Sequence, residues 1–161
     1  MTNPITPDFV YKLVNVSEPS LSPDGSGLAF VRSRVDPETV AVQSQVMMMD
    51  LPDGRAAEFT AGPKDGRPRF SPDGKSVAFT RPDEAGRAQI WLIPTSGGEA
   101  RQLTSIVGGV KEFAWSPDSS SLALVSEVDP DRPPDGEDGK MPRVKVIRRI
   151  RYRDDGEGWR G

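Results

Sequence analysis

The chain contains neither histidine nor cysteine. Without cysteine there is no disulfide framework, no thiolate nucleophile and no thiolate-ligated metal, and the redox compartment is left open. The missing histidine excludes more. Imidazole is the usual general base behind a serine nucleophile and the commonest metal ligand, so a Ser-His-Asp triad cannot be assembled from these residues. No catalytic residue, metal site or cofactor is expected within the chain. Long apolar runs are also lacking: nothing approaches the ~20 residues that a helix needs to cross a bilayer, and no membrane partner is expected. The opening MTNPITPDFVYKL has no basic start, no apolar stretch of roughly 7–15 residues and no small-residue cleavage site, from which a cytoplasmic location is expected. Neither sign of charge dominates. The 21 Lys and Arg against 24 Asp and Glu give a formal net charge of −3, which supplies no bulk attraction to nucleic acid.

What is abundant is turn chemistry. Gly and Pro number 16 each in 161 residues, above average for the pair and below the level of a disordered chain. Written against itself, the sequence aligns in three lines: Pro19–Val31 (PSLSPDGSGLAFV), Pro68–Thr80 (PRFSPDGKSVAFT) and Phe113–Val125 (FAWSPDSSSLALV). Ser22, Ser71 and Ser116 open the turns at spacings of 49 and 45 residues, which suits a four-stranded propeller blade of roughly 40–50 residues. In S-P-D-G the proline presets φ, the aspartate accepts backbone N–H bonds and glycine takes a positive φ. The third copy has Ser119 in the glycine position, so its turn is expected to be strained or of another type. The strands that follow, Leu28–Val31, Val77–Thr80 and Leu122–Val125, are short apolar runs and not alternations, as suits sheets packed on both faces.

Two further apolar strands, Gln45–Met49 and Gln89–Ile93, lead through LPDGR and TSGGE to the closing strands Ala57–Thr60 and Arg101–Thr104, with FTAG and LTSI in equivalent places. Met47–Met49 and Trp91 are read as core. The fold class is therefore all-β: a partial propeller of two full blades and part of a third, with repeats over about 17–62, 66–106 and 110–161. Thr6-Pro7-Asp8 opens a short helix over 6–14, with Thr6 as N-cap and Phe9/Leu13 and Val10/Val14 forming an apolar strip. The strip is expected to dock on the first blade or on a partner domain. Closed propellers need roughly 4–8 blades to remove their sheet edges, so the remaining blades are expected from elsewhere, or from association with other chains as a homo-oligomer.

The runs DFVYKLVNVSEPSLSPDGSGLAFV, LPDGRAAEFTAGPKDGRPRFSPDGKSVAFT, QIWLIPTSGGEARQLTSIVGGVKEFAWSPDSSSLALVSEVD and RIRYRDDGEGWRG resemble the N-terminal propeller of the prolyl oligopeptidase family of serine peptidases, in its acylaminoacyl-peptidase and dipeptidyl-peptidase branch. TolB-like propellers share the SPDG unit. The resemblance implies a non-catalytic propeller that gates the access of short peptides and packs on a catalytic α/β-hydrolase domain. No G-x-S-x-G elbow or histidine is present, so no catalytic residue carries over. The alternative is a TolB-like propeller acting as a protein-binding scaffold.

Among candidate sites, Arg143–Arg153 (RVKVIRRIRYR) is densely basic. It reads as a strand with a charged face, as an interface, or as contacts from Arg148, Arg149, Arg151 and Arg153 to a peptide carboxylate, with nucleic acid the weakest of the readings. The acidic loop Asp129–Gly139 and the tail Asp154–Glu157 fit no calcium-loop pattern. Asp24, Asp73 and Asp118 recur once per repeat, and their turn position accounts for them.

Overall fold

A computed structural model describes residues 6–127 and the strand pairs at 153–154 and 158–159. The described residues form two four-stranded antiparallel sheets in simple meander order. The first holds β1 (Val14–Leu21), β2 (Gly27–Val35), β3 (Val42–Asp50) and β4 (Arg55–Glu58); the second holds β5 (Gly66–Phe70), β6 (Ser76–Pro82), β7 (Ala88–Pro94) and β8 (Arg101–Gln102). A third hairpin pairs β9 (Glu112–Trp115) with β10 (Leu122–Val125). A separate unit over 130–161 contains the two-residue strands β11 (Arg153–Asp154) and β12 (Gly158–Trp159), paired antiparallel.

The S-P-D turns share one core set of bonds. Gly25, Gly74 and Ser119 donate their N–H to the carbonyls of Ser22, Ser71 and Ser116 at 2.9, 2.9 and 3.0 Å. In each turn the serine hydroxyl donates to the aspartate at 2.6 Å, and the serine Oγ accepts the N–H five residues on, at Gly27, Ser76 and Ser121. The third turn is therefore not of another type. Ser119 adopts φ 60°, close to the 74° and 71° of Gly25 and Gly74, and its hydroxyl accepts the Asp73 N–H at 3.0 Å, a bond that joins neighbouring turns and offsets the strain.

The serine hydroxyl foremost, with backbone N–H donors behind it, holds Asp24 and Asp118 down at about 2 and Asp73 below its usual range. A second carboxylate repeats at the far end of the sheets. Asp36 accepts from Glu38 N, Thr39 N and Gln43 Nε2, and Asp83 from Ala85 N, Arg87 N and Gln89 Nε2.

The opening segment departs from expectation. Pro7–Lys12 is a single 3-10 helix, and Thr6 makes no side-chain cap. Phe9 N–H bonds Thr6 O at 2.9 Å and Leu13 N–H bonds Val10 O at 3.3 Å, the tighter i→i+3 ladder used by one- or two-turn pieces. The segment lies beside β2, and Phe9, Val10 and Leu13 stay exposed.

Packing explains the unalternated apolar runs. Val77 and Phe79 of β6 join Ala29, Val46 and Ile93 in the seam between the first two sheets, with Phe70 and Trp91 against them. Ala78 of the same strand joins Ile90 and Val110 in the next seam, with Phe113, Trp115 and Leu122. Successive side chains of one strand thus serve opposite neighbours, and burying a side chain such as Phe79 or Ile90 contributes about 1.5–3 kcal/mol. Met47 is buried, whereas Met48 and Met49 are half-buried.

Polar staples set the seams. Thr60 and Thr104 accept the N–H of Val46 and Ile90 on their hydroxyls, at 3.1 and 2.9 Å. From Thr60 the chain crosses to the second sheet. Asp65 N–H donates to Ser44 O at 3.0 Å, and Ser44 Oγ donates to Asp65 O at 2.9 Å. The wholly buried Asp65 carboxylate meets Arg81 Nε and Nη2 at 2.7 and 2.9 Å and accepts Gly62 N–H. The Arg81 guanidinium lies 5.2 Å from the Phe79 ring centre and 4.8 Å from that of Trp91. Gly62 is glycine because a Cβ there would run into the Asp65 carboxylate and the Arg81 guanidinium.

Asp65→Ala leaves a part-buried guanidinium without its anion and should cost about 3 kcal/mol, read as a lower denaturant midpoint at unchanged slope; a loss no larger than that of an exposed Asp8→Ala variant would refute the staple. The depressed turn carboxylates predict the pH response. Their folded pKa lies below the ordinary 3.8, so the stability they confer is complete above that value and drains as pH falls toward about 2. Thermal midpoints from pH 5 to pH 2 should fall less steeply in the Asp24→Asn/Asp73→Asn/Asp118→Asn triple variant than in the parent.

Candidate functional site

The first strands of the three repeats, β1, β5 and β9, converge. Phe70 N–H of β5 donates to Ser20 Oγ of β1 at 3.4 Å, and Trp115 Nε1 of β9 donates to Arg69 O of β5 at 3.2 Å. Two of these strands are bulged. The β1–β2 register shifts between Ser17 and Ser20, and the β5–β6 register between Gly66 and Arg69. Pro19 and Pro68 sit in the shifts, where a residue without an N–H is tolerated; β9 has Phe113 in that column and pairs without a shift. The residue before each proline, Glu18 or Arg67, takes a left-handed backbone at φ 53° or 50°, a conformation costing about 1–3 kcal/mol each. The carboxylate of Glu18 compensates by accepting Arg67 N–H at 2.6 Å, with Arg67 Nε 3.9 Å away.

These bulges build a cavity of about 350 Å³ lined by Glu18, Arg67, Arg69, Glu112 and Phe113. Glu18, Arg67 and Glu112 occupy the same column of the repeat, four residues before Ser22, Ser71 and Ser116. One charged side chain from each successive repeat therefore faces a shared space, with the signs alternating. The cation stands between two anions in chain order, which avoids the repulsion that like charges at this column would meet. A second cleft of about 370 Å³ lies between the first two turns, lined by Pro23, Met48, Phe70, Pro72 and Gly74. At the next seam the Ser119–Asp73 bond joins the turns.

Of the residues singled out from sequence, Arg148, Arg149 and Arg151 lie outside the described residues, as does the loop 129–139. Arg153 begins β11. Among the described residues no group of three or more acidic residues is gathered as a metal ion would require. The charged column was missed by one position: the aligned lines start at Pro19, Pro68 and Phe113, immediately after it, and contain only Arg69 and Phe113 of the cavity residues. Extending the alignment by one residue would have exposed the Glu-Arg-Glu series.

Four-stranded meander sheets stacked face to face, with their first strands converging, define a β-propeller. The TolB β-propeller family model matches residues 10–132, and the chain belongs to that family. It is 34% identical over 160 residues to the uncharacterized peptidase YuxL of Bacillus subtilis, covering 96% of this chain and 24% of that protein. Its fold matches the acylaminoacyl peptidase of Pyrococcus horikoshii with a TM-score of 0.71 at 22% identity, over 93% of this chain and 22% of that one. It also matches a TolB protein of Agrobacterium tumefaciens with a TM-score of 0.54 at 24% identity, over 67% and 37%. The chain thus spans about a quarter of the length of its peptidase relatives. The resemblance to the propeller of prolyl-oligopeptidase-type peptidases rests on these matches and on the repeat itself.

Glu18→Ala removes the carboxylate that holds Arg67 N–H across the seam. Because Glu18 is more than a third exposed, the expected loss is only about 1 kcal/mol, measured by denaturant unfolding, with amide exchange faster in β1 and β5 than in β7.

Proposed function

We propose that this chain is the non-catalytic propeller portion of a serine peptidase, gating the access of short peptides to a catalytic α/β-hydrolase domain on which it packs. The observation that carries the reading is the charged cavity on the first strands, together with the similarity to a peptidase over 96% of the chain. A cavity of about 350 Å³ is of the size that admits small ligands and excludes a folded protein. Catalysis belongs to residues beyond this sequence, since a serine nucleophile here would lack its usual base. A cytoplasmic location is part of the same proposal. The TolB match favours a second reading, a protein-binding scaffold, for which the exposed Val14, Val16 and Leu21 of β1 offer an apolar docking edge.

A fluorophosphonate probe separates the two. The full-length protein carrying this chain should be labelled, should cleave peptides of a few residues, and should lose kcat/KM steeply as substrates lengthen, whereas the 161-residue chain should not be labelled. Absence of labelling with capture of a partner protein would support the scaffold; equal cleavage of short peptides and unfolded proteins would overturn gating.

A further inference from the structure

Among the described residues an aspartate precedes a glycine at four places: Asp24-Gly25, Asp53-Gly54, Asp65-Gly66 and Asp73-Gly74. Such a step is reactive toward its own side chain, because glycine has no Cβ to shield its nitrogen. Three of the four carboxylates are held. Asp24 accepts from the Ser22 hydroxyl at 2.6 Å and from the N–H and hydroxyl of Ser26. Asp73 accepts from the Ser71 hydroxyl at 2.6 Å and from Lys75 N–H, and Asp65 is buried against Arg81 and Gly62 N–H. Asp53 stands in the exposed turn 51–54 between β3 and β4, and among the described residues its carboxylate accepts no hydrogen bond and pairs with no cation. The amide nitrogens do not distinguish the turn sites: Gly54 N–H donates to Asp50 O at 2.8 Å, and Gly25 and Gly74 N–H donate to Ser22 and Ser71 O at 2.9 Å. Exposure does not distinguish them either, since Asp24, Asp53 and Asp73 are all exposed. What differs is the freedom of the carboxyl group to turn onto the backbone.

We propose that Asp53 is a site of spontaneous covalent modification, at which the chain passes through a succinimide to isoaspartate while Asp24, Asp65 and Asp73 stay intact. The Gly54 nitrogen attacks Asp53 Cγ; the N–Cγ bond forms, the Cγ–OH bond breaks, and one water leaves with the amide proton. Water then adds to the main-chain carbonyl carbon of Asp53 and breaks its bond to nitrogen, so the chain continues through Cγ and a free α-carboxylate remains. The ring closes from the protonated carboxyl. The Ser22 and Ser71 hydroxyls, which above all hold Asp24 at about 2 and Asp73 below its usual range, therefore slow closure a second time. Space for the ring is available, since a Cβ at Gly54 would meet no atom within 4 Å. The product lengthens by one main-chain carbon the loop across which Asp50 pairs with Arg55, so β4 should loosen as far as the Thr60 hydroxyl that accepts Val46 N–H.

The test is to age the full 161-residue chain at neutral pH, folded and in denaturant, and to locate isoaspartate by electron-transfer fragmentation of its peptides. An isoaspartyl methyltransferase with labelled S-adenosylmethionine gives the total. Because at least one charge-assisted bond must break at each held site, the folded chain should carry roughly tenfold more isoaspartate at Asp53 than at Asp24, Asp65 or Asp73. In denaturant the four sites should become alike. Freeing Asp24 by Ser22→Ala with Ser26→Ala should raise its yield toward that of Asp53, with a thermal unfolding transition showing that the variant is folded. Amide exchange in the aged chain should quicken over Arg55–Glu58 and stay unchanged in β7. Equal yields at Asp53, Asp24 and Asp73 in the folded chain, or the same preference for Asp53 after denaturation, would overturn the proposal. The comparison of folded with denatured parent decides even where the serine variant does not fold.

Discussion

Every sheet in this fold depends on having a neighbour on each face. Val77 and Phe79 are wholly buried against the first sheet and Ala78 is wholly buried toward the third hairpin, so β6 has no solvent side on which a polar alternation could appear. A sheet of this kind is unstable alone, because one exposed face would return to water the apolar area that offsets its chain entropy. In the first sheet Val14, Val16 and Leu21 of β1 are more than half exposed among the described residues, apolar area of the kind that a neighbouring sheet would cover.

Apolar packing sets the stacking but not the register, because an apolar face tolerates sliding more readily than a hydrogen-bonded one. Register comes from polar groups placed once per repeat. The turn aspartates fix one end of each hairpin, Asp36 and Asp83 fix the other, and Thr60 and Thr104 tie the closing segment to the third strand. Asp65 then carries the chain from one sheet to the next, held by Ser44 on one side and Arg81 on the other. A buried ion pair is weak support for net stability. Its directional bonds at a crossing point specify how the second sheet meets the first.

The repeat was legible because its turn residues are chemically distinctive: S-P-D recurs, and proline, aspartate and glycine each have a separate reason to be there. The apolar runs likewise betrayed two-faced burial. The second aspartate turn was not legible, since Asp36 and Asp83 sit in dissimilar loops and reach their glutamine partners across seven and six residues. The short helix is there, but its 3-10 period was not legible, because Thr6-Pro7-Asp8 signals a helix start without fixing its period, and six residues gain too few α-type bonds to outweigh nucleation. The cavity escaped for a different reason. Its residues are charged, strand-borne and unlike one another, so Glu18, Arg67 and Glu112 show no kinship until turn geometry puts them in one column. The basic segment drew notice instead because charge density is visible in sequence and spatial convergence is not.

The prolines connect that hidden column to the visible repeat. A proline at the third position before the turn serine removes a ladder N–H, forces the strand to bulge and turns the preceding residue out of the regular pleat. Where Pro19 and Pro68 do this, Glu18 and Arg67 adopt left-handed backbone and reach each other; where Phe113 stands instead, β9 stays regular and the Glu112 carboxylate is left without a partner among the described residues. The same substitution that relaxes the third strand therefore supplies the cavity with an aromatic surface. The third repeat thus departs from the first two at its first strand, where the residue type and the strand pairing change together.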